Sequence, residues 1–152
     1  MPDWLVSRFS LVGLSVVVVQ QIPGIVWAIR PPAEDPFARN SGTVLVEILE
    51  KSFGIGTVLL LVVVLAKAPL FLGASRVGLI GAFVVLAAYY AFYVAYYWGV
   101  TSLPILLGMA AFPPVSFLLT AFHQGNYPAL VTGIVFGLVH VGLTYANFGP
   151  RA

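Results

Sequence analysis

Long apolar runs separated by short polar interruptions dominate the chain. Phe9 to Ile29 carries no formal charge. A helix crossing about 30 Å of hydrocarbon needs roughly 20 apolar residues, so this run is long enough to span. The segment from Arg30 to Gly42 holds three prolines and four charges and reads as a loop. Thr43 to Phe53 mixes Val44, Leu45, Ile48 and Leu49 with Glu47, Glu50 and Lys51, the pattern of a short amphipathic lead-in helix. A second span is predicted over 54–72, ended by Gly73-Ala74-Ser75-Arg76, and a third over 77–98. Gly99 to Pro104 forms the next turn, with Pro104 in the first turn of the following helix, where its missing N–H costs little. Spans four and five are predicted over 102–122 and 127–147, divided by the polar hexapeptide His123 to Pro128.

The expected architecture is therefore an all-α membrane protein in one domain. It is a five-transmembrane-helix bundle with the lead-in helix before the second span. The alternative is four spans, with the Pro113-Pro114 segment re-entrant. Helices are required because every backbone N–H and C=O in lipid must be bonded within the chain. The period-two alternation of a membrane barrel is absent, and no repeat relates the two halves.

Composition sharpens this picture. Only 8% of the 152 residues are charged, and 61% are hydrophobic. A soluble domain carries about 25% charged residues. Every Asp, Glu, Lys and Arg except Arg151 lies at or before Arg76, so Val77 to Pro150 has none. This excludes a soluble enzyme, a disordered tail and a nucleic-acid-binding domain. The net charge of +2 comes with no run of Lys or Arg, so a phosphate-binding surface is not supported. With no cysteine there is no thiolate chemistry or Cys-ligated metal. The first apolar run is too long for a signal h-region and is expected to be a retained span. Arg8, Lys67 and Arg76 fall on one face, and Arg30, Arg39, Lys51 and Arg151 on the other. Lys/Arg counts do not decide orientation, and the acidic residues give only a lean towards a cytoplasmic N-terminus.

Polar side chains at membrane depth are the candidate site. Gln20 and Gln21 lie past the middle of span one. Tyr89, Tyr90 and Tyr93 fall at comparable depth in span three, and His140 in span five, with Thr144 and Asn147 continuing its stripe. Glu47 and Glu50 approach the same end from the second helix and would stand at an entrance. These residues are expected to line one polar half-cavity between spans one, three and five. In Gln20-Gln21-Ile22-Pro23-Gly24, Pro23 cannot donate to the Val19 carbonyl, so the helix is weakened beside two amides. The same motif also reads as a kink whose glutamines bond across helices. His140 reads as a proton carrier, a ligand partner or a neutral imidazole satisfied by a neighbouring helix. No second strong ligand stands at metal spacing, and neither a metal nor a cofactor is expected. Tyr96, Tyr97 and Trp98 fit an interfacial belt.

Two functions follow. One is binding or transport of a small apolar or amphipathic molecule in the half-cavity. The other is a structural or accessory subunit, packing on itself or on a partner membrane subunit through Ala87/Ala91/Ala95 and Gly133/Gly137. An enzyme is disfavoured, since no Asp, Cys or carboxylate pair lies outside the loops and lead-in. Membrane lipid is the expected surrounding. Five spans, this length and a longer first loop resemble the outline of the tryptophan-rich translocator family, whose members bind porphyrins and sterols. That family's tryptophan motifs do not map onto Trp4, Trp27 and Trp98, so the resemblance carries over no residue.

Overall fold

The computed structural model describes residues 5–7, 9–32, 44–66 and 74–150. Five helices account for nearly all of them: α1 (Leu11–Ile29), α2 (Val44–Val63), α3 (Ala74–Tyr97), α4 (Leu103–Gln124) and α5 (Tyr127–Phe148). Two three-residue strands, β1 (Leu5–Ser7) and β2 (Val64–Ala66), pair antiparallel with Val6 opposite Leu65. The remainder of the loop read over 30–42, the predicted limit of span two at Leu72 with Gly73, and the roles read for Lys67 and Arg151 lie outside the described residues; Ala74 to Arg76, read as part of the turn, are instead the first turn of α3.

Local chemistry fixes the helix ends. Ser10 caps α1, its Oγ accepting from the Gly13 N–H at 3.0 Å. Gly125 ends α4 at φ 64°, the left-handed conformation that glycine adopts without a Cβ penalty. One residue later Asn126 caps α5, accepting from the Ala129 N–H at 3.1 Å. Pro104 and Pro128 sit in the first turns of their helices, where a missing N–H breaks no helical bond.

Successive helices run antiparallel. Thr132 meets Thr57 while His140 meets Glu50, so α5 runs against α2. Tyr90 reaches Val19 and Tyr97 reaches Arg30, so α1 and α3 are parallel. α4 lies at the centre. Its Phe117 and Ala121 share one core cluster with Val16 and Val17 of α1, Leu61 of α2, Leu86 of α3 and Ala129 of α5. Gly133 and Gly137 bring α5 close to α4, their Cα atoms facing Leu118 and Pro114. Ala87 and Ala91 of the other small-residue stripe face outward.

The structure corrects the reading of the second span. Residues 44–63 form one helix without a break at Gly54, so lead-in and span are a single element. That helix ends at Val63, well before the predicted limit at Leu72. The reason lies elsewhere in the chain. The last carbonyls of a helix need donors from outside it. Here the Asn126 side chain donates to Leu60 O at 2.8 Å and the Gln124 side chain to Leu61 O at 3.0 Å. The Ser10 backbone N–H donates to Val62 O at 2.7 Å. With these filled, the β-branched run Val62-Val63-Val64 passes into extended chain, which it favours, and pairs with β1. Among the described residues four helices are long and apolar enough to cross a membrane: α1, the 76–97 stretch of α3, α4 and α5. In α2 the three charges Glu47, Glu50 and Lys51 exclude it from that set. The four-span alternative is thus nearer by number, but the exceptional helix is the second and not the proline-bearing fourth, which stays continuous through Pro113 and Pro114.

Candidate functional site

α1 continues as a helix through Pro23, which leaves the Val19 carbonyl without its intrahelical donor. The Tyr90 hydroxyl donates to that carbonyl at 2.7 Å. One helical stretch further on, the Tyr97 hydroxyl donates to Arg30 O, the end of α1, at 2.8 Å. Two tyrosines of α3 thus satisfy backbone groups of α1. Tyr90→Phe removes the first of these bonds and leaves the kink carbonyl unpaired. A loss of about 0.6–2 kcal/mol is expected in unfolding titrations in mixed micelles, in the range of interhelical hydrogen bonds in membranes.

Of the sequence-predicted residues, Gln20, Gln21 and Glu50 line a cavity on one side of α1 and Tyr90 and Tyr93 a cavity on the other, while Tyr89, His140, Thr144, Asn147 and Glu47 line neither. The first, of about 400 Å³, lies between α1 and α2 with α4 and α5 behind it. Gln20, Gln21, Glu50 and Lys51 supply its polar groups, and Ile55, Val58, Leu59, Phe117 and Phe136 its apolar walls. The second, of about 280 Å³, lies between α1 and α3. It is nearly all apolar, with Pro23, Tyr90, Tyr93 and Tyr97 against Ile22, Val26 and Trp98. Tyr93 is buried and its hydroxyl meets no hydrogen-bonding geometry among the described residues. Tyr89 lies beside both other tyrosines, its ring centroid 5.9 Å from Tyr93 and 6.0 Å from Tyr90.

The first cavity holds the unusual electrostatics. The His140 Nδ1 is hydrogen-bonded to Glu50 Oε1. Glu50 lies six residues into α2, about 9 Å from its start, and His140 eight residues before the end of α5, about 12 Å in. Their side chains are 19% and 31% exposed. Phe136, which walls the cavity, stacks on the His140 ring with centroids 5.2 Å apart. Thr144 lies one turn further along α5 and donates to the His140 carbonyl at 3.0 Å. Asn147 is half-buried near the end of that helix. At the rim Lys51 lies 4.0 Å from Glu47, with Lys51 72% exposed. Glu50 and His140 are two potential metal ligands. No group of three His, Cys, Asp or Glu that could hold a metal ion occurs among the described residues.

Gln20 completes this wall. It is 9% exposed, and its Oε1 is buried without a hydrogen-bond partner among the described residues. A buried carbonyl oxygen left unpaired costs about 1–3 kcal/mol. Gln21, its neighbour, is exposed at the opening. Ile55 and Leu59 are also exposed, so the cavity opens sideways between α1 and α2.

Sequence reasoning placed Glu50 and His140 at the same end but did not pair them. The antiparallel register of α2 against α5 does that. It missed the cluster of Ser10, Gln124 and Asn126 at the opposite end. Asn126 two residues before Pro128 has the spacing of a helix cap, which was the legible part of that signal. No protein-family model, curated protein or solved structure matches the chain.

Proposed function

We propose that this chain is a multi-pass membrane protein that binds a small amphipathic molecule in the cavity between α1 and α2. Its four apolar helices are compatible with a membrane location by composition. Outward-facing Val18, Ile25, Ile80, Val84, Val131 and Leu138 suit lipid as their surroundings. The observation that carries the reading is Gln20: a nine-tenths buried amide on the cavity wall whose oxygen accepts no hydrogen bond among the described residues. Native structures pair buried polar groups, and an exception calls for an explanation. A bound donor supplies one once the carboxamide, whose oxygen is buried as it stands, turns towards the cavity. At about 400 Å³ the cavity lies near the low end of ligand sites, roughly 300–1,000 Å³. Its mostly apolar walls and few polar groups at one end match an amphipath of modest size.

Gln20→Leu tests this reading. Without ligand the variant is expected to be as stable as the wild type or up to about 3 kcal/mol more stable, because an unpaired buried acceptor is gone. A polar group kept at a cost to stability is the pattern of a functional site. With ligand the order reverses. Saturating 1-octanol is expected to raise the thermal midpoint of the wild type, as any molecule binding only the folded state does, and to raise that of the variant less. A variant that is destabilised without ligand and still responds fully to octanol contradicts the reading.

A second reading rests on a separate observation. Ala87 and Ala91 present a small-residue face outward from α3, the kind of surface on which a second transmembrane helix packs closely. It describes a subunit of a larger membrane assembly. Gly133 and Gly137 do not add to it, being occupied by contacts within the chain. A monomer in mild detergent speaks against this second reading, and a stable oligomer disrupted by Ala91→Leu supports it.

A further inference from the structure

We infer that the molecule bound in the α1–α2 cavity is an organic cation, a protonated amine with N–H donors and a short apolar tail. This rests on the ligand-binding reading above and names the ligand class. The polar group of greatest consequence on the wall is the Glu50 carboxylate. His140 occupies its Oε1, which leaves Oε2 for a second donor. A carboxylate is acceptor-only when ionised, so a group arriving there should bring protons and positive charge. The Gln20 carboxamide lies on the facing helix, its oxygen buried as the side chain stands, and turns an acceptor towards the cavity only by rotating. Beyond these groups, with Gln21 at the opening and Lys51 at the rim, the walls are the apolar Ile55, Val58, Leu59, Phe117 and Phe136.

Lys51 also lines the cavity and argues for an anion, so the two charges must be weighed. Lys51 is 72% exposed and stands by Glu47, whereas the Glu50 side chain is 19% exposed. Charges in contact with water are screened, and those withdrawn from it act more strongly. The more sheltered, half-buried carboxylate is therefore the less screened of the two charges. His140 Nδ1 engages one oxygen of that carboxylate, and the other remains for a ligand donor.

The test uses three probes with one tail: octylamine, 1-octanol and octanoate, each titrated into the protein in lipid nanodiscs. Wild type is compared with Glu50→Gln. Partition of each probe into lipid is common to both proteins and cancels in the ratio. Glutamine retains an acceptor for His140, and an unchanged response to octanol shows that the variant is folded. Octylamine affinity is expected to fall about ten- to hundredfold in Glu50→Gln, the loss that corresponds to a hydrogen bond with a charged group. Octanol should change less than threefold. Equal losses for amine and octanol, or no loss for the amine, overturn the cation assignment and leave the ligand-binding reading standing. Tighter binding of octanoate than of octylamine by the wild type likewise overturns the assignment. No saturable binding of any probe to wild type contradicts both.

Discussion

Replacing Asn126 with alanine is expected to cost about 2–4 kcal/mol of stability. The side chain is fully buried. Its Oδ1 caps α5 through the Ala129 N–H, a contribution of about 1 kcal/mol. Its Nδ2 satisfies the Leu60 carbonyl at 2.8 Å, and leaving that group buried and unpaired adds about 1–3 kcal/mol. The two roles separate by substitution. Asn126→Asp preserves the cap acceptor but sets an oxygen against the Leu60 carbonyl, so it should cost at least as much as alanine. Asn126→Ser preserves a cap acceptor and lacks the reach to α2, so it should fall between wild type and alanine. Unfolding titrations in mixed micelles measure the order. Equal stability of serine and wild type refutes the account of how α2 ends.

Gly13→Ala should be of comparable severity, against the sense of helix propensity. Alanine in a helix interior is normally favoured over glycine by about 0.5–1 kcal/mol. At Gly13 an added Cβ would lie 2.0 Å from the Leu61 carbonyl oxygen and 2.7 Å from its carbon. These are backbone atoms of α2, and Gln124 holds the same carbonyl in place. The Ser10 N–H donates to the Val62 carbonyl at 2.7 Å beside this contact, so moving the helices apart works against that bond as well. Overpacking of this kind costs about 1–3 kcal/mol, and the upper end applies where backbone must move. Gly142 is the control. A Cβ there meets nothing within 4 Å, so Gly142→Ala should gain the ordinary propensity. If thermal midpoints show both substitutions stabilising, the close approach of α1 to α2 is wrong. The contact also concerns function, because the cavity lies along the same two helices, beyond the point where they meet.

Four of the five helices were legible as hydrophobic runs, because a helix closes most of its backbone bonds within itself, so a long apolar run specifies it locally. The end of α2 was not, since the donors to Leu60, Leu61 and Val62 come from residues far away in the sequence. The candidate residues were legible by type and depth, and less so by grouping. The sequence implied one cavity. α1 stands between the α3 tyrosines and Glu50, so these groups line separate cavities on its two sides. Pro23 pointed to a free carbonyl at Val19, and which side chain would take it depended on how α3 is rotated. The Ala87/Ala91 stripe shows the same limit: its spacing marks a helix face, but whether that face turns inward depends on the neighbours.

The claim that most needs testing is that the α1–α2 cavity holds a ligand and is more than a gap in packing. A diazirine-bearing octylamine, photolysed with the protein in lipid nanodiscs and mapped by peptide mass spectrometry, tests it directly. Label is predicted on Gly54 to Leu59 and on Phe136, competed away by excess octylamine. Label spread over outward-facing Val84, Val131 and Leu138, unaffected by competitor, would contradict it.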